Sequence, residues 1–120
     1  MSKILLIEDD LILLEMYTHK FAHEGFEVET ATDGQDGIAK MKTFKPDVVL
    51  LDLIIPQLSG FEVLKVVKDD PVLSKIPIIV LTNIFADAED LVKNWGVQDF
   101  LLKAKCTPQD VFDKVTNLLP

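Results

Sequence analysis

The sequence predicts a doubly wound α/β domain: one parallel sheet with helices on both faces. Three observations predict it. Strand and helix signals alternate five times along the 120 residues. The apolar runs Ile4-Leu5-Leu6-Ile7, Val48-Val49-Leu50-Leu51 and Phe100-Leu101-Leu102 are short and uninterrupted, as are strands buried on both faces of a parallel sheet. Each run also ends on charge: Glu8-Asp9-Asp10, Asp52 and Lys103 respectively. In open parallel sheets, chemistry collects at the carboxyl ends of strands.

The elements follow in order. Strand one is Ile4 to Ile7. Helix one runs from Leu11 to about His23, with Leu11, Leu14, Phe21 and Ala22 at helical spacing and Gly25 as its stop. Asp10 suits its N-cap, where an acid also meets the positive end of the helix dipole. Strand two, Phe26 to Thr30, alternates apolar and acidic residues and so belongs near a sheet edge. Thr32-Asp33-Gly34 is a turn before helix two, which runs to about Phe44 despite Gly37 inside it. Pro46 precedes strand three, Val48 to Leu51. Ser59-Gly60-Phe61-Glu62 reads as a capping box opening helix three, to about Asp69. Pro71 and Pro77 bracket a loop before strand four, Ile78 to Leu81. Helix four, Ala86 to Asn94, ends at Gly96, and strand five is Val97 to Leu102. Thr107-Pro108 opens helix five, which reaches Leu118. With no linker or repeat, residues 1–120 form one domain. Strands joined through helices imply right-handed crossovers.

Composition narrows the function. The chain is 48% hydrophobic and 27% charged, an ordinary globular balance. Its apolar stretches are too short to span a membrane, and Met1-Ser2-Lys3-Ile4 lacks a signal-peptide layout. A lone cysteine, Cys106, cannot form an internal disulfide and fits a reducing cytoplasm. The formal net charge is −8. Lys40, Lys42, Lys45, Lys65 and Lys68 are dispersed at helical spacings, so neither direct nucleic-acid binding nor membrane association is expected. His19 and His23 lie four apart on helix one without an evident third metal ligand. Trp95 and Phe85 fall near helix four, where they suit either core packing or a docking surface.

The motifs Ile4-Leu5-Leu6-Ile7-Glu8-Asp9-Asp10, Asp33-Gly34, Pro46-Asp47-Val48-Val49-Leu50-Leu51-Asp52-Leu53 with Pro56 and Gly60, Val80-Leu81-Thr82, and Phe100-Leu101-Leu102-Lys103 occur in this order and spacing. Together they resemble the receiver domain of two-component response regulators, the CheY-like family, from Lys3 to about Leu118. The resemblance implies a flavodoxin-like (βα)5 fold with strand order 2-1-3-4-5, which places strands one and three at the topological switch point. It also implies that Asp52 is the phosphoacceptor and that Mg²⁺ (or Mn²⁺) is held by Asp9, Glu8, Asp52 and the backbone carbonyl of Ile54. Such a hard cation suits an all-oxygen site. Lys103 would pair with the phosphoryl oxygens. Thr82 would hydrogen-bond the new phosphoryl group, and Phe100 would be the switch aromatic that repacks the helix 4/strand 5/helix 5 surface. The implied partners are a histidine kinase or phosphotransfer protein, recognised on helix one around Leu11, Met16, Tyr17 or Lys20. Downstream lie a separate protein, a C-terminal output domain, or a second copy docking through the same surface. The domain would not be an enzyme beyond its own phosphorylation and dephosphorylation.

Four positions flank the site and depart from the family's usual residues or bear on access. Ala104 follows Lys103 where the family has proline with a cis bond. A non-proline cis bond costs about 3–4 kcal/mol, so either the site offsets that cost or the bond is trans and the loop runs differently. Asn83 follows Thr82 in place of a small residue. Ile54 and Ile84, bulky and apolar, should restrict water and slow self-dephosphorylation. Two other readings use the same acids: a receiver-like docking module that is not phosphorylated, and a Mg²⁺-dependent phosphatase with an aspartyl nucleophile. The phosphatase would need a second aspartate where Ile54 stands.

Overall fold

A computed structural model describes residues 2–83 and 88–119. Five parallel strands form one sheet in the order β2-β1-β3-β4-β5. They are β1 (Lys3–Ile7), β2 (Glu27–Ala31), β3 (Val48–Leu51), β4 (Ile78–Thr82) and β5 (Asp99–Leu102). The helices between and after them are α1 (Leu11–His23), α2 (Gly34–Phe44), α3 (Gly60–Asp69), α4 (Ala88–Trp95) and α5 (Pro108–Leu118). Single 3₁₀ turns lie at Leu73–Lys75 and Lys103–Lys105.

Alternation along the strands builds two cores. Leu5, Ile7, Val49, Leu51, Ile78 and Val80 point to one face, with Met41 of α2 and Val63, Leu64 and Val67 of α3. Ile4, Leu6, Val48, Leu50, Ile79 and Leu81 point to the other, with Leu14, Tyr17 and Phe21 of α1 and Val111 and Val115 of α5. Strands so covered are apolar throughout their inner positions, with Lys3 and Thr82 only at strand ends, which is why β1, β3 and β4 read as continuous runs. The first face closes around α2, where Gly37 is a packing residue. A Cβ there would lie 2.6 Å from Ile7 Cδ1, so the helix sits close on β1. On the second face, the rings of Phe21, Phe26 and Phe112 meet at 5.1, 5.6 and 6.1 Å between centroids. Such contacts contribute about 0.5–1.5 kcal/mol each beyond their burial.

Several expectations change, among them the bounds of β2, which lies one residue later than expected, and of β4, which extends to Thr82. The third apolar run is not a buried strand: β5 is a sheet edge, and all four of its residues are half-buried. It begins at Asp99, two residues later than expected. On α1 the buried stripe is Leu14, Tyr17 and Phe21, while Leu11 is 68% exposed and Ala22 is also exposed. At the very start of α1, only Leu11 and Ile12 lie off the core. The expected start of helix four, at Ala86, lies outside the described residues.

The helix starts obey the local sequence. Asp10 caps α1, its Oδ1 accepting from the N–H groups of Ile12 and Leu13 at 3.0 and 3.2 Å. Ser59 with Glu62, and Thr107 with Asp110, form reciprocal capping boxes on α3 and α5. Gly60, at the start of α3, is a tighter constraint than Gly37. Its Cβ would meet Leu53 Cα at 2.4 Å and Asp52 O at 2.5 Å, both backbone atoms.

Gly60→Ala should therefore cost about 1–3 kcal/mol or more, because backbone must move. In Gly37→Ala, about 0.5–1 kcal/mol of recovered helix propensity works against displacement of the buried Ile7 side chain with no backbone in the way, so the net change should be smaller. Denaturant midpoints of the two variants check the ranking; equal losses would contradict it.

Candidate functional site

The register of β1 and β3 makes the site. Ile7 lies beside Ala31 on one side and Leu51 on the other, so the next residues, Glu8 and Asp52, emerge together from the carboxyl edge. Backbone hydrogen bonds hold both beyond their strands: Glu8 N–H donates to Ala31 O and Asp52 N–H to Ile7 O, each at 3.0 Å. Lys103, the first residue after β5, reaches across to them. Its Nζ donates to Asp52 Oδ2 at 2.7 Å and lies in direct contact with Glu8 Oε1. The remaining oxygens bond backbone: Asp52 Oδ1 accepts from Ile54 N–H at 3.2 Å and Glu8 Oε2 from Asp10 N–H at 3.1 Å.

Glu8 is 9% and Asp52 6% exposed, whereas Asp9 is open to solvent beside them. Oxygens of the three carboxylates lie within 4.8 Å of one another. This donor set fits a hard divalent cation: three carboxylates with a solvent-open side where waters complete the shell. Asp10, engaged as the α1 cap, stays outside the group.

Burial dominates the electrostatics. It pushes the Glu8 carboxyl above its ordinary value; the Lys103 ammonium and the Asp10 N–H oppose the shift, and the Asp52 charge adds to it. Burial also acts to lower Lys103, but hydrogen bonds and charge from Asp52 and Glu8 outweigh it and raise the lysine. Lys103 is thus a fixed ammonium with two anionic partners.

The other expected residues fall around this centre. Thr82 is fully buried at the end of β4. Phe100 is half-buried on β5 and packs against the α2/α3 core. Cross-strand pairs Val80–Phe100 and Thr82–Leu102 make Thr82 and Phe100 diagonal neighbours. Ile54 is 60% exposed at the rim, and Asn83 and Ala104 are exposed. Ile84 and Phe85 lie outside the described residues. Among the described residues every peptide is trans. Lys103 enters a 3₁₀ turn with Ala104 and Lys105 and still reaches Asp52.

Several side candidates resolve. Tyr17 is a core residue, 6% exposed, and cannot serve as a surface recognition residue as expected. Lys20 is bound to Gln109 at 2.8 Å and lies over the Phe112 ring. His19 pairs with Glu15 at 3.8 Å, and among the described residues neither histidine joins a metal-ligand cluster. Burial pushes the Cys106 thiol up, away from thiolate chemistry. Trp95 is half-buried, edge-on to Phe61 at 5.9 Å, which is the core-packing alternative. Two features escape a reading of the sequence. The contact of Glu8 with Lys103 leaves no local signal. Gly34 and Gly60 are legible only as turn and cap residues, because close approach depends on which loop arrives.

The fold and the acid–lysine crevice at the switch point define the CheY-like class. The chain belongs to the response regulator receiver domain family, whose model matches residues 4–116. It is 35% identical over 104 residues to the DNA-binding response regulator MtrA of Mycobacterium tuberculosis, covering 85% of this chain and 44% of that protein. It is 36% identical over 115 residues to the transcriptional regulatory protein CpxR homolog of Haemophilus influenzae, covering 95% and 46%. The chain therefore spans a little under half the length of these curated relatives. The chemotaxis protein CheY4 of Vibrio cholerae superposes with a TM-score of 0.88 at 29% identity, covering 99% of both chains. The general role of the family is that of a phosphorylation switch in two-component signalling. Among the described residues no helix is long and apolar enough to cross a membrane.

The raised Glu8 value has a definite sign. A carboxyl raised on folding binds more protons in the folded state, so its ionisation opposes folding above that raised value. Below the ordinary value of 4.5 it is protonated in both states and the cost vanishes. In EDTA, Glu8→Gln should raise the melting temperature at pH 7, and the difference should shrink as pH falls through that window. A lower melting temperature for the variant at pH 7 would refute this.

Proposed function

We propose that Asp52 accepts a phosphoryl group from a phosphohistidine on a histidine kinase or phosphotransfer protein, and that the output is a change in binding. The observation that carries this is the convergence of Asp52, Glu8, Asp9 and Lys103 in one crevice, with Asp52 buried and paired to the ammonium. A carboxylate oxygen of Asp52 would attack phosphorus in line. The N–P bond breaks, the imidazole leaves with its electron pair, and an acyl phosphate forms. Asp9, Asp52 and the Ile54 carbonyl would hold Mg²⁺, with Glu8 in support; the donor set accepts Mn²⁺ as well. When bound, the cation supplies neutralisation of the phosphoryl charge. Lys103 would exchange a carboxylate oxygen for a phosphoryl oxygen.

The consequence would pass through Thr82 and Phe100. The Thr82 hydroxyl turns toward the phosphoryl group, and Phe100 moves into the space released. The surface of α4, β5 and α5 then changes its affinity for a downstream protein, an output domain C-terminal to this segment, or a second copy. Because whole relatives are named as DNA-binding or transcriptional regulators, we propose that any DNA contact belongs to such an output segment. The receiver itself carries a net charge of −8.

Incubation with acetyl phosphate and Mg²⁺ should add the mass of one phosphoryl group, absent in Asp52→Asn. No mass gain in the parent chain would favour an unphosphorylated docking module. Mg²⁺ alone should raise the melting temperature, by about 2.7 kcal/mol of stabilisation at a hundredfold excess over its dissociation constant. Asp9→Asn should remove most of that gain. Ile54 shields the acyl phosphate from water, so Ile54→Asn should shorten its lifetime roughly several-fold; an unchanged decay rate would exclude that role.

A further inference from the structure

The loop joining β3 to α3 carries the Ile54 carbonyl, and two backbone approaches hold it. At its start, Gly60 N–H donates to Leu53 O at 3.0 Å, and the bare Cα face of Gly60 lies against the Asp52 and Leu53 backbone. Its far half rests on another element. Gly34, the first residue of α2, is buried and donates its N–H to Pro56 O at 3.3 Å. A Cβ on Gly34 would lie 1.9 Å from Leu58 O and 2.9 Å from Leu58 Cβ. No side chain fits there without lifting residues 56–58. Between these points Gln57 takes a left-handed φ of 68°, a conformation that persists for a non-glycine residue only where surroundings over-determine it. Asp33 fixes the other partner, capping α2 through Asp36 N–H at 2.7 Å.

We propose that Gly34 is a positioning residue for the cation site: its bare backbone is the seat that sets where the Ile54 peptide stands beside Asp52. Gly34 touches no ligand itself. It acts through Pro56 and Leu58, two and four residues beyond Ile54. Raising the seat would tilt the loop about its fixed start at Leu53 and swing the Ile54 carbonyl away from the carboxylates. The inference rests on the proposed cation site, and it assigns to the Asp33-Gly34 motif a task that the phosphoryl chemistry alone does not.

The test is titration of the whole chain with Mg²⁺ alone, by calorimetry, with amide shifts of residues 54–58 recorded in the cation-free state. Gly34→Ala should weaken Mg²⁺ binding by about tenfold or more, the scale set by outer-shell partners of metal ligands. It should also shift the 54–58 amides without Mg²⁺. Val67→Ala, a packing loss in the same core at the far end of α3, should leave Mg²⁺ affinity within about twofold, a general loss of packing being insufficient to move it. Should Gly34→Ala fail to fold, Pro56→Gly loosens the same seat from the exposed loop side and should weaken Mg²⁺ comparably. Parent-like Mg²⁺ affinity in folded Gly34→Ala, or in Pro56→Gly where the first does not fold, overturns the proposal alone. Absence of Mg²⁺ binding to the parent chain overturns the cation site and this inference together.

Discussion

Everything at the carboxyl edge of this sheet depends on one ammonium shared between two buried carboxylates. Lys103 faces Glu8 and Asp52 at once, and neither acid has water enough to stand unpaired. Removing the lysine would leave both carboxylates buried without a compensating charge, which is far costlier than never having built the cluster. The balance is nevertheless incomplete. Three ionised carboxylates and one ammonium leave two negative charges, which a divalent cation cancels and a monovalent one does not. Charge count and donor chemistry thus point to the same ligand class.

That charge cluster exists because of backbone register. Parallel pairing brings Ile7 and Leu51 level, so the next residue of each strand must leave the sheet on the same edge. The hydrogen bonds Glu8 N–H to Ala31 O and Asp52 N–H to Ile7 O carry the order of the sheet one step into the crevice. The acids are therefore held by main chain, and only Lys103 arrives through a long side chain. Two anionic partners raise its pKa against burial, and their oxygens hold the ammonium in place.

The division between what the sequence discloses and what it conceals tracks the range of the interactions. Uninterrupted apolar runs betray strands packed on both faces, so β1, β3 and β4 were legible; β5 misled because Phe100-Leu101-Leu102 is equally apolar but has one neighbour strand. Caps are local and were legible at Asp10, Ser59 and Thr107. The acids were legible as strand-end residues, and family resemblance supplied their grouping. The Glu8–Lys103 contact spans 95 positions of chain, and no local pattern records it. Tyr17 is covered and Leu11 left open for a similar reason: helical spacing alone does not say which face the sheet will cover.

Burial differs sharply between the two halves of the proposed relay, and the difference bears on how a switch can operate. Thr82 is fully enclosed on an inner strand, where a hydroxyl moves only if a new partner compensates its desolvation. Phe100, its diagonal neighbour, lies on the edge strand and is only half-buried. An edge strand has one ladder to preserve, and a half-buried ring meets fewer atoms when it turns. A phosphoryl group at Asp52 would supply the compensating acceptor for Thr82, and the adjoining edge offers the least resistance to rotation of the Phe100 ring. The rigid part of the domain would then hold the chemistry while the compliant part reports it. That ordering requires β5 to lie outermost, as the sheet order 2-1-3-4-5 places it.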